Sequence, residues 1–258
     1  MKNMPKHDNL EEFRDGDLYD ATNKLKSSEF EFFSNLARQY GSPILDVACG
    51  TGRLTIPLAE HGYDITGVDI TPEMLETAKK KSTHLDGVQW IHADVRKLKL
   101  EQQFRMIYTT GNAFQGFLDR PSQEGLLQFV HSQLDKNGVF AFETRNPVLS
   151  RLLADQGKVV EREDSVDEKG NKISHTWERT YDPIHQLEHF KQTYKYWKNN
   201  HEVYKTVHTR IAIRYVFPQE LKSLLYYNGF VLEDIYGHFD KSPLQDDSPL
   251  MVCICRKR

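Results

Sequence analysis

The sequence predicts an α/β fold: an open, mostly parallel sheet wound with helices and carrying an antiparallel β insert. Three observations lead there. An apolar run, Ile44 to Val47, meets the glycine turn Gly50-Thr51-Gly52 and then a helix-like stretch. From that turn to Glu143, strand-like and helix-like stretches alternate, as in right-handed βαβ units. Near Lys158 the apolar period switches to two, the mark of antiparallel strands.

The elements follow in order. Residues 1–27 are polar, with Leu18-Tyr19-Asp20 the one suggestive point. Ser28 to Tyr40 predicts an amphipathic helix, because Phe30, Phe33 and Ala37 recur at helical spacing beside Phe32, Leu36 and Tyr40. Gly41-Ser42-Pro43 stops it, and the first strand, Ile44 to Val47, begins at once. Its helix runs from about Gly52 to Glu60. Ile65 to Ile70 is a second strand, and Thr71-Pro72-Glu73 opens the next helix with an N-cap and a first-turn proline. Val88 to Asp94 is a third strand and Arg105 to Thr110 a fourth. Pro121 to Leu134 is helical, closed by Asp135-Lys136-Asn137-Gly138, and Val139 to Glu143 is a fifth strand.

Residues 158–214 read as a meander of four stretches, with turns at Glu168-Lys169-Gly170-Asn171, Asp182-Pro183-Ile184 and Asn199-Asn200. Aromatics line one face of it, among them Trp177, Tyr181, Phe190, Tyr194 and Tyr196. Pro218 to Tyr227 returns to helix, and Phe230 to Tyr236 and Leu250 to Arg256 are the last strands. The chain thus divides into an arm covering the site (1–43), a core (44–150), a β insert serving as a lid (151–216) and a stretch completing the core sheet (217–258).

Composition narrows the partners. At a formal net charge of -3 over 258 residues there is no broad basic field to hold a phosphate backbone, so no nucleic-acid partner is expected. The basic runs Lys79-Lys80-Lys81 and Arg256-Lys257-Arg258 read as a solvated helix end and a chain terminus. Cys49, Cys253 and Cys255 suit buried reduced thiols and hence a reducing, cytoplasmic setting. Neither a signal-peptide core nor an apolar run of spanning length occurs, so no membrane partner is expected. The insert's histidines have no cysteine near them, and His185 and His189 carry helix spacing in a strand-like stretch; no metal site is expected.

The glycine corner decides the ligand class. A dinucleotide site wants a third small residue where Thr55 stands. Asp46, four residues before Gly50, would repel a pyrophosphate and suits a cationic ligand. S-adenosyl-L-methionine (SAM) carries an ammonium and a sulfonium. Asp69 follows the glycines at the spacing of a ribose-binding acid, and Asp94 stands where an adenine amino group can be reached.

With these residues the chain resembles the class I, Rossmann-like SAM-dependent methyltransferases. Asp46-Val47-Ala48-Cys49-Gly50-Thr51-Gly52-Arg53 is similar to their first motif, Gly67 to Leu75 to their second, and Ala93-Asp94-Val95-Arg96 to their third. The resemblance implies a seven-stranded sheet with strand seven antiparallel, and it implies roles. Asp46, Ala48, Gly50, Gly52 and Arg53 would surround the methionine part of SAM, Asp69 would take the ribose, and Ile70 and Met74 would flank the adenine. Asp94 and Val95 would read the adenine edge, with Tyr19 and Thr110 also on the cofactor. The product would be S-adenosyl-L-homocysteine.

Acceptor chemistry is expected at the tips of strands four and five and on the insert, from Asn112, Glu143, Arg145 and Tyr215. No Asn-Pro-Pro-Tyr or Asp-Pro-Pro-Tyr follows strand four and no Pro-Cys occurs, which argues against methyltransferases of DNA bases. The expectation is methyl transfer to nitrogen or oxygen of a small molecule. A protein or RNA methyltransferase, a non-catalytic SAM-binding module pairing as a homodimer through the insert, and a nicotinamide oxidoreductase stand as alternatives.

Overall fold

A computed structural model describes residues 9–198 and 201–258. The central sheet has seven strands: β1 (Ile44–Val47), β2 (Ile65–Asp69), β3 (Val88–His92), β4 (Phe104–Thr109), β5 (Leu134–Arg145), β11 (Phe230–Tyr236) and β12 (Leu250–Lys257). Their order is β11-β12-β5-β4-β1-β2-β3. β12 runs antiparallel to both of its neighbours, and the remaining pairs are parallel. This is the seven-stranded sheet with an antiparallel last strand that the motifs implied.

Both faces of the central strands are covered, and every residue of β1 and β2 is buried. Alternation along β1 sends Ile44 to one face and Leu45 and Val47 to the other. On Ile44's side lie α2 (Ser27–Tyr40) and α3 (Thr55–Glu60), contributing Phe32, Phe33, Leu36 and Leu58. On the opposite side α5 (Arg120–Gln133) and α7 (Pro218–Tyr227) bring Leu126, Leu127, Leu221 and Leu225. α4 (Pro72–Lys81) follows β2. Cys253 and Cys255 are buried free thiols on the α5/α7 face, and Cys49 is buried and free too.

Several boundaries differ from expectation. α3 starts at Thr55 rather than Gly52, because Gly52 has φ +74° and cannot open a right-handed helix. β3 ends at His92, which leaves Asp94 in the loop beyond it. β5 begins at Leu134, since Leu134 already pairs with Phe104 before the register shifts to Met106 and Val139. Two short helices escaped the sequence reading. α1 (Gly16–Thr22) is capped by Asp15, whose carboxylate accepts from the Leu18 N–H at 2.9 Å. α6 (Leu149–Leu153) leads out of the core.

The insert is a five-stranded antiparallel sheet rather than four stretches. Its long strands are β8 (Lys172–Asp182), β9 (Leu187–Lys198) and β10 (Glu202–Arg214), ordered β10-β9-β8. β6 (Val159–Glu161) and β7 (Ser165–Val166) both pair with β8. The expected turn at Asn199-Asn200 lies outside the described residues. Two apolar clusters attach this sheet: Leu18 of α1 packs on Ile173, Tyr194 and Tyr196, and Leu152 of α6 packs on Phe190, Ile213 and Tyr215.

A buried ion pair ties the second attachment. Glu188, fully buried, accepts from Arg179 at 3.1 Å and from the Tyr215 hydroxyl at 2.9 Å. Arg179 also donates to the Arg151 carbonyl at 2.7 Å and the Ala154 carbonyl at 3.2 Å, clamping the stretch that enters the insert. Removing one partner of a buried pair leaves an uncompensated charge. We expect Arg179→Met to lower unfolding free energy in urea by about 3 kcal/mol, and Arg179→Lys, which keeps charge but not the fork, to fall between.

Candidate active site

The site is built at the C-terminal ends of the parallel strands, where β1 and β4 are neighbours and the chain turns to opposite sides of the sheet. After β1 the backbone coils through three left-handed residues, Ala48 (φ 59°), Gly50 (φ 55°) and Gly52 (φ 74°). Trp90 of β3 explains why Gly52 and Gly67 have no side chain. A Cβ on either would lie 2.6 Å from the indole ring. The indole N–H donates to the Ser82 hydroxyl at 3.0 Å, which fixes the ring in that position.

Asp69 locks the turn from the side. One carboxylate oxygen accepts from the Gly50 N–H and the other from the Thr71 N–H, both at 2.8 Å. Each oxygen keeps acceptor capacity beyond that bond. Burial pushes this carboxyl above its ordinary range, and the two N–H groups pull it part of the way back.

Asp46 is not on the cavity wall. Strand alternation points it the same way as Ile44, under α3, where the Thr55 hydroxyl donates to it at 2.5 Å. Its second oxygen is buried without a partner. Arg53 and Gly52 also lie behind the wall. Arg53 makes a two-pronged pair with Glu29 of α2, at 2.7 and 2.8 Å. The Thr110 hydroxyl donates to the same Glu29 carboxylate. Tyr19 stands beside this pair, and burial pushes its hydroxyl up to about 12.

Glu143 sits one step deeper. It accepts from the Asn112 N–H at 2.7 Å, so it holds the loop after β4 in shape. One of its oxygens has no partner, and neither has the buried side-chain oxygen of Asn112. Tyr215, bonded to Glu188, does not reach the cavity; strand-end aromatics of this kind pack, and here the ring completes the Leu152 cluster.

A cavity of about 440 Å³ gathers the rest. Ala48, Gly50, Asp69, Ile70, Met74 and Val95 line one end of it. Asp94 also lines it, with both oxygens held by Arg96 at 2.8 Å, which keeps the carboxyl below its ordinary range. Tyr19, Thr110 and Asn112 form the middle, and Arg145 reaches the far end. There the insert supplies the wall through Trp177, Phe190, Gln192, Ile211 and Ile213. The Arg145 guanidinium lies 6.0 Å from the Phe190 ring centre.

Sequence reasoning missed Glu12, Glu29, Trp90, Gln192 and Arg96 as site residues. Arg96 stood in the quoted third motif, and its fork toward Asp94 was readable at spacing two. Glu29 gave no signal, because a carboxylate in the first turn of a helix is ordinary.

Two expectations follow. Gly52→Ala forces a left-handed alanine against Trp90, which costs about 2 kcal/mol; adding Trp90→Leu should recover part of that loss in a double-mutant cycle read by urea unfolding. The second concerns pH. Burial pushes the carboxyls of Asp46 and Glu143 up to about 7, from ordinary values of 3.8 and 4.5. Between the ordinary values and about 7 the folded chain holds protons the unfolded chain has lost. Stability from these groups is therefore full at low pH and falls as pH rises toward 7. Glu143→Gln, which keeps the Asn112 bond and cannot ionise, should flatten that fall in a series of melting temperatures against pH.

Comparison with known proteins agrees with this arrangement. Residues 44–138 match the family model described as a methyltransferase domain. A glycine/sarcosine N-methyltransferase from Aphanothece halophytica is 26% identical over 239 residues, covering 90% of this chain and 82% of that one. A demethylmenaquinone methyltransferase from Staphylococcus epidermidis is 32% identical over 141 residues, 51% of this chain and 57% of that protein. Among solved structures, the CcbJ methyltransferase from Streptomyces caelestis superposes with a TM-score of 0.80 at 19% identity, covering 95% of this chain and 98% of that one. Sequence motifs, sheet order and family match converge on a methyltransferase domain over residues 44–138, with SAM as its methyl donor.

Proposed function

We propose that the acceptor is a small molecule, methylated on nitrogen. One observation carries this reading: a single cavity of about 440 Å³ runs from the motif residues to the inner face of the insert. Its volume is that of pockets for small ligands. The far end is chemically mixed, with Trp177 and Phe190 as flat apolar walls and Arg145, Gln192 and Glu12 as polar groups. A carboxylate in that half suits an acceptor bearing an amine. The relative with the longest match described above is named for methylating glycine and sarcosine, both small amines, which supports the same reading.

The residues at the near end fit the cofactor. Asp69 retains acceptor capacity for ribose hydroxyls, and exposed Ile70 with buried Met74 offers an apolar clamp for a purine. A side chain at Gly50 would press on Met74, at 3.1 Å from its methyl, so glycine keeps the cradle open. Asn112 presents a buried oxygen without a partner. Tyr19 and Thr110 bound the methionine end, backed by Arg53, while Asp94 and Val95 bound the adenine edge. Asp46, Ala48 and Gly52 shape the turn that these residues rest on. When bound, SAM supplies an activated methyl carbon; the protein's part is to align the acceptor nitrogen with it and exclude water.

Two measurements test this. By calorimetry Asp69→Ala should weaken SAM by about 10- to 100-fold, the loss of charge-assisted hydrogen bonds. With methyl-labelled SAM and a cell extract split by dialysis, label should appear in the small-molecule fraction, in a product stable to base as N-methyl groups are. Label confined to the macromolecular fraction would refute the reading.

A further inference from the structure

We propose that Glu12, delivered by the N-terminal arm, takes the proton that an acceptor ammonium must lose before it is methylated. The inference rests on the small-amine reading above and adds a residue that no motif marks.

Position comes first. Glu12 lies in a single helical turn of the arm, Glu11–Phe13, and both Glu12 and Phe13 line the cavity. The turn is pinned to β10: the Asn9 amide donates to the Ala212 carbonyl at 2.9 Å and accepts from the Ala212 N–H at 2.7 Å, and Glu11 accepts from the Arg210 N–H at 3.1 Å. That anchoring turns Glu12 into the cavity, beside Gln192, Arg145 and Phe190.

Elimination among carboxylates comes second. Among the described residues three carboxylates line this cavity: Asp69, Asp94 and Glu12. Asp69 is bound to the glycine turn, and Asp94 is forked by Arg96. Glu12 alone stands at the insert end. One of its oxygens accepts from the Tyr194 hydroxyl at 3.0 Å and the other from the Gln192 amide. Ionised carboxylates accept about four hydrogen bonds, so room remains for an acceptor N–H.

Charge comes third. Burial raises the Glu12 carboxyl, while Gln192, Tyr194 and the Arg145 cation pull it down. Behind Gln192, His175 bonds to the amide oxygen at 2.8 Å, and burial lowers its ring below the ordinary range, which disfavours its cationic form. A carboxyl raised by burial is a stronger base than an exposed glutamate, and its three polar neighbours favour its charged form.

An acceptor R–NH3+ gives one proton to the Glu12 carboxylate. The freed nitrogen lone pair forms the N–C bond as the C–S bond breaks, and sulfur keeps that electron pair as a neutral thioether. The methylated product leaves as an ammonium, and Glu12 returns its proton to water.

The test compares wild type with Glu12→Gln and Glu12→Asp on the labelled small-molecule fraction and on a panel of sarcosine, glucosamine and methylamine. At neutral pH kcat of Glu12→Gln should fall about 100-fold. The deficit should shrink to about 10-fold or less at alkaline pH, where the amine deprotonates unaided. Glu12→Asp should recover part of the rate, and SAM affinity by calorimetry should be unchanged in both. Without any turnover, titrating the amine into enzyme saturated with S-adenosyl-L-homocysteine should show weaker binding in Glu12→Gln. A Glu12→Gln rate equal to wild type, or a deficit that stays constant with pH, would overturn the inference and leave the small-amine reading standing. Wild type that labels oxygen, or nothing small, would bring down that reading and this inference with it.

Discussion

One carboxylate holds the catalytic end of this protein together. Asp69 accepts the Gly50 N–H from the turn after β1 and the Thr71 N–H that begins the stretch into α4, both at 2.8 Å. Two segments that are separate in sequence thereby share an anchor. The turn is also closed by its own backbone, the Gly52 N–H donating to the Cys49 carbonyl at 3.0 Å, and Ala48, Gly50 and Gly52 in it are all left-handed, a conformation that costs energy for alanine and is merely permitted for glycine. Trp90 fills the space beneath, and a methyl on Gly52 or Gly67 would collide with it. The turn is therefore defined by a hydrogen-bonded acid on one side and an indole on the other.

Around that anchor the protein concentrates buried acids: Asp46, Asp69, Glu29 and Glu143. Only one of them has a full counter-ion, the Arg53–Glu29 pair. The others are kept by hydrogen bonds from backbone N–H groups or from hydroxyls, and burial raises Asp46 and Glu143 to about 7. A site arranged this way is short of positive charge. Of the four acids only Asp69 lines the cavity, so it is the one whose carboxylate a bound molecule can meet, while the other three shape the wall from behind.

The fold was legible because its signals are local. Glycines at 50 and 52, acids near the ends of β2 and β3, and the change of period near residue 158 each lie within a few residues of the feature they specify. Part of the cavity wall shares that legibility, since Gly50, Asp69, Met74, Asp94 and Val95, all in or beside the short motifs, line the cavity. Strand ends were less exact, since the bulge that lets β5 start at Leu134 has no composition of its own. Asp46 shows the limit more sharply. Its place in the motif was plain, but strand alternation sends it under α3, away from the cavity wall.

The end of the cavity at the insert was illegible for a different reason. Its groups come from the arm, from β5 and from the insert, so Glu12 and Gln192 meet across 180 residues. No spacing rule links positions that distant. Tyr215 looked promising by order along the chain, yet it serves the Arg179–Glu188 pair that secures the insert. The arm repeats the lesson within three residues. Leu18 packs on the insert, Tyr19 reaches the cavity, and Asp20 accepts from Thr51 of the glycine turn and pairs with Lys81 of α4. The arm thus touches both bodies that bound the cavity. Arm, insert and glycine turn are held to one another by contacts that no short motif contains, and the cavity's far wall is made where arm and insert meet.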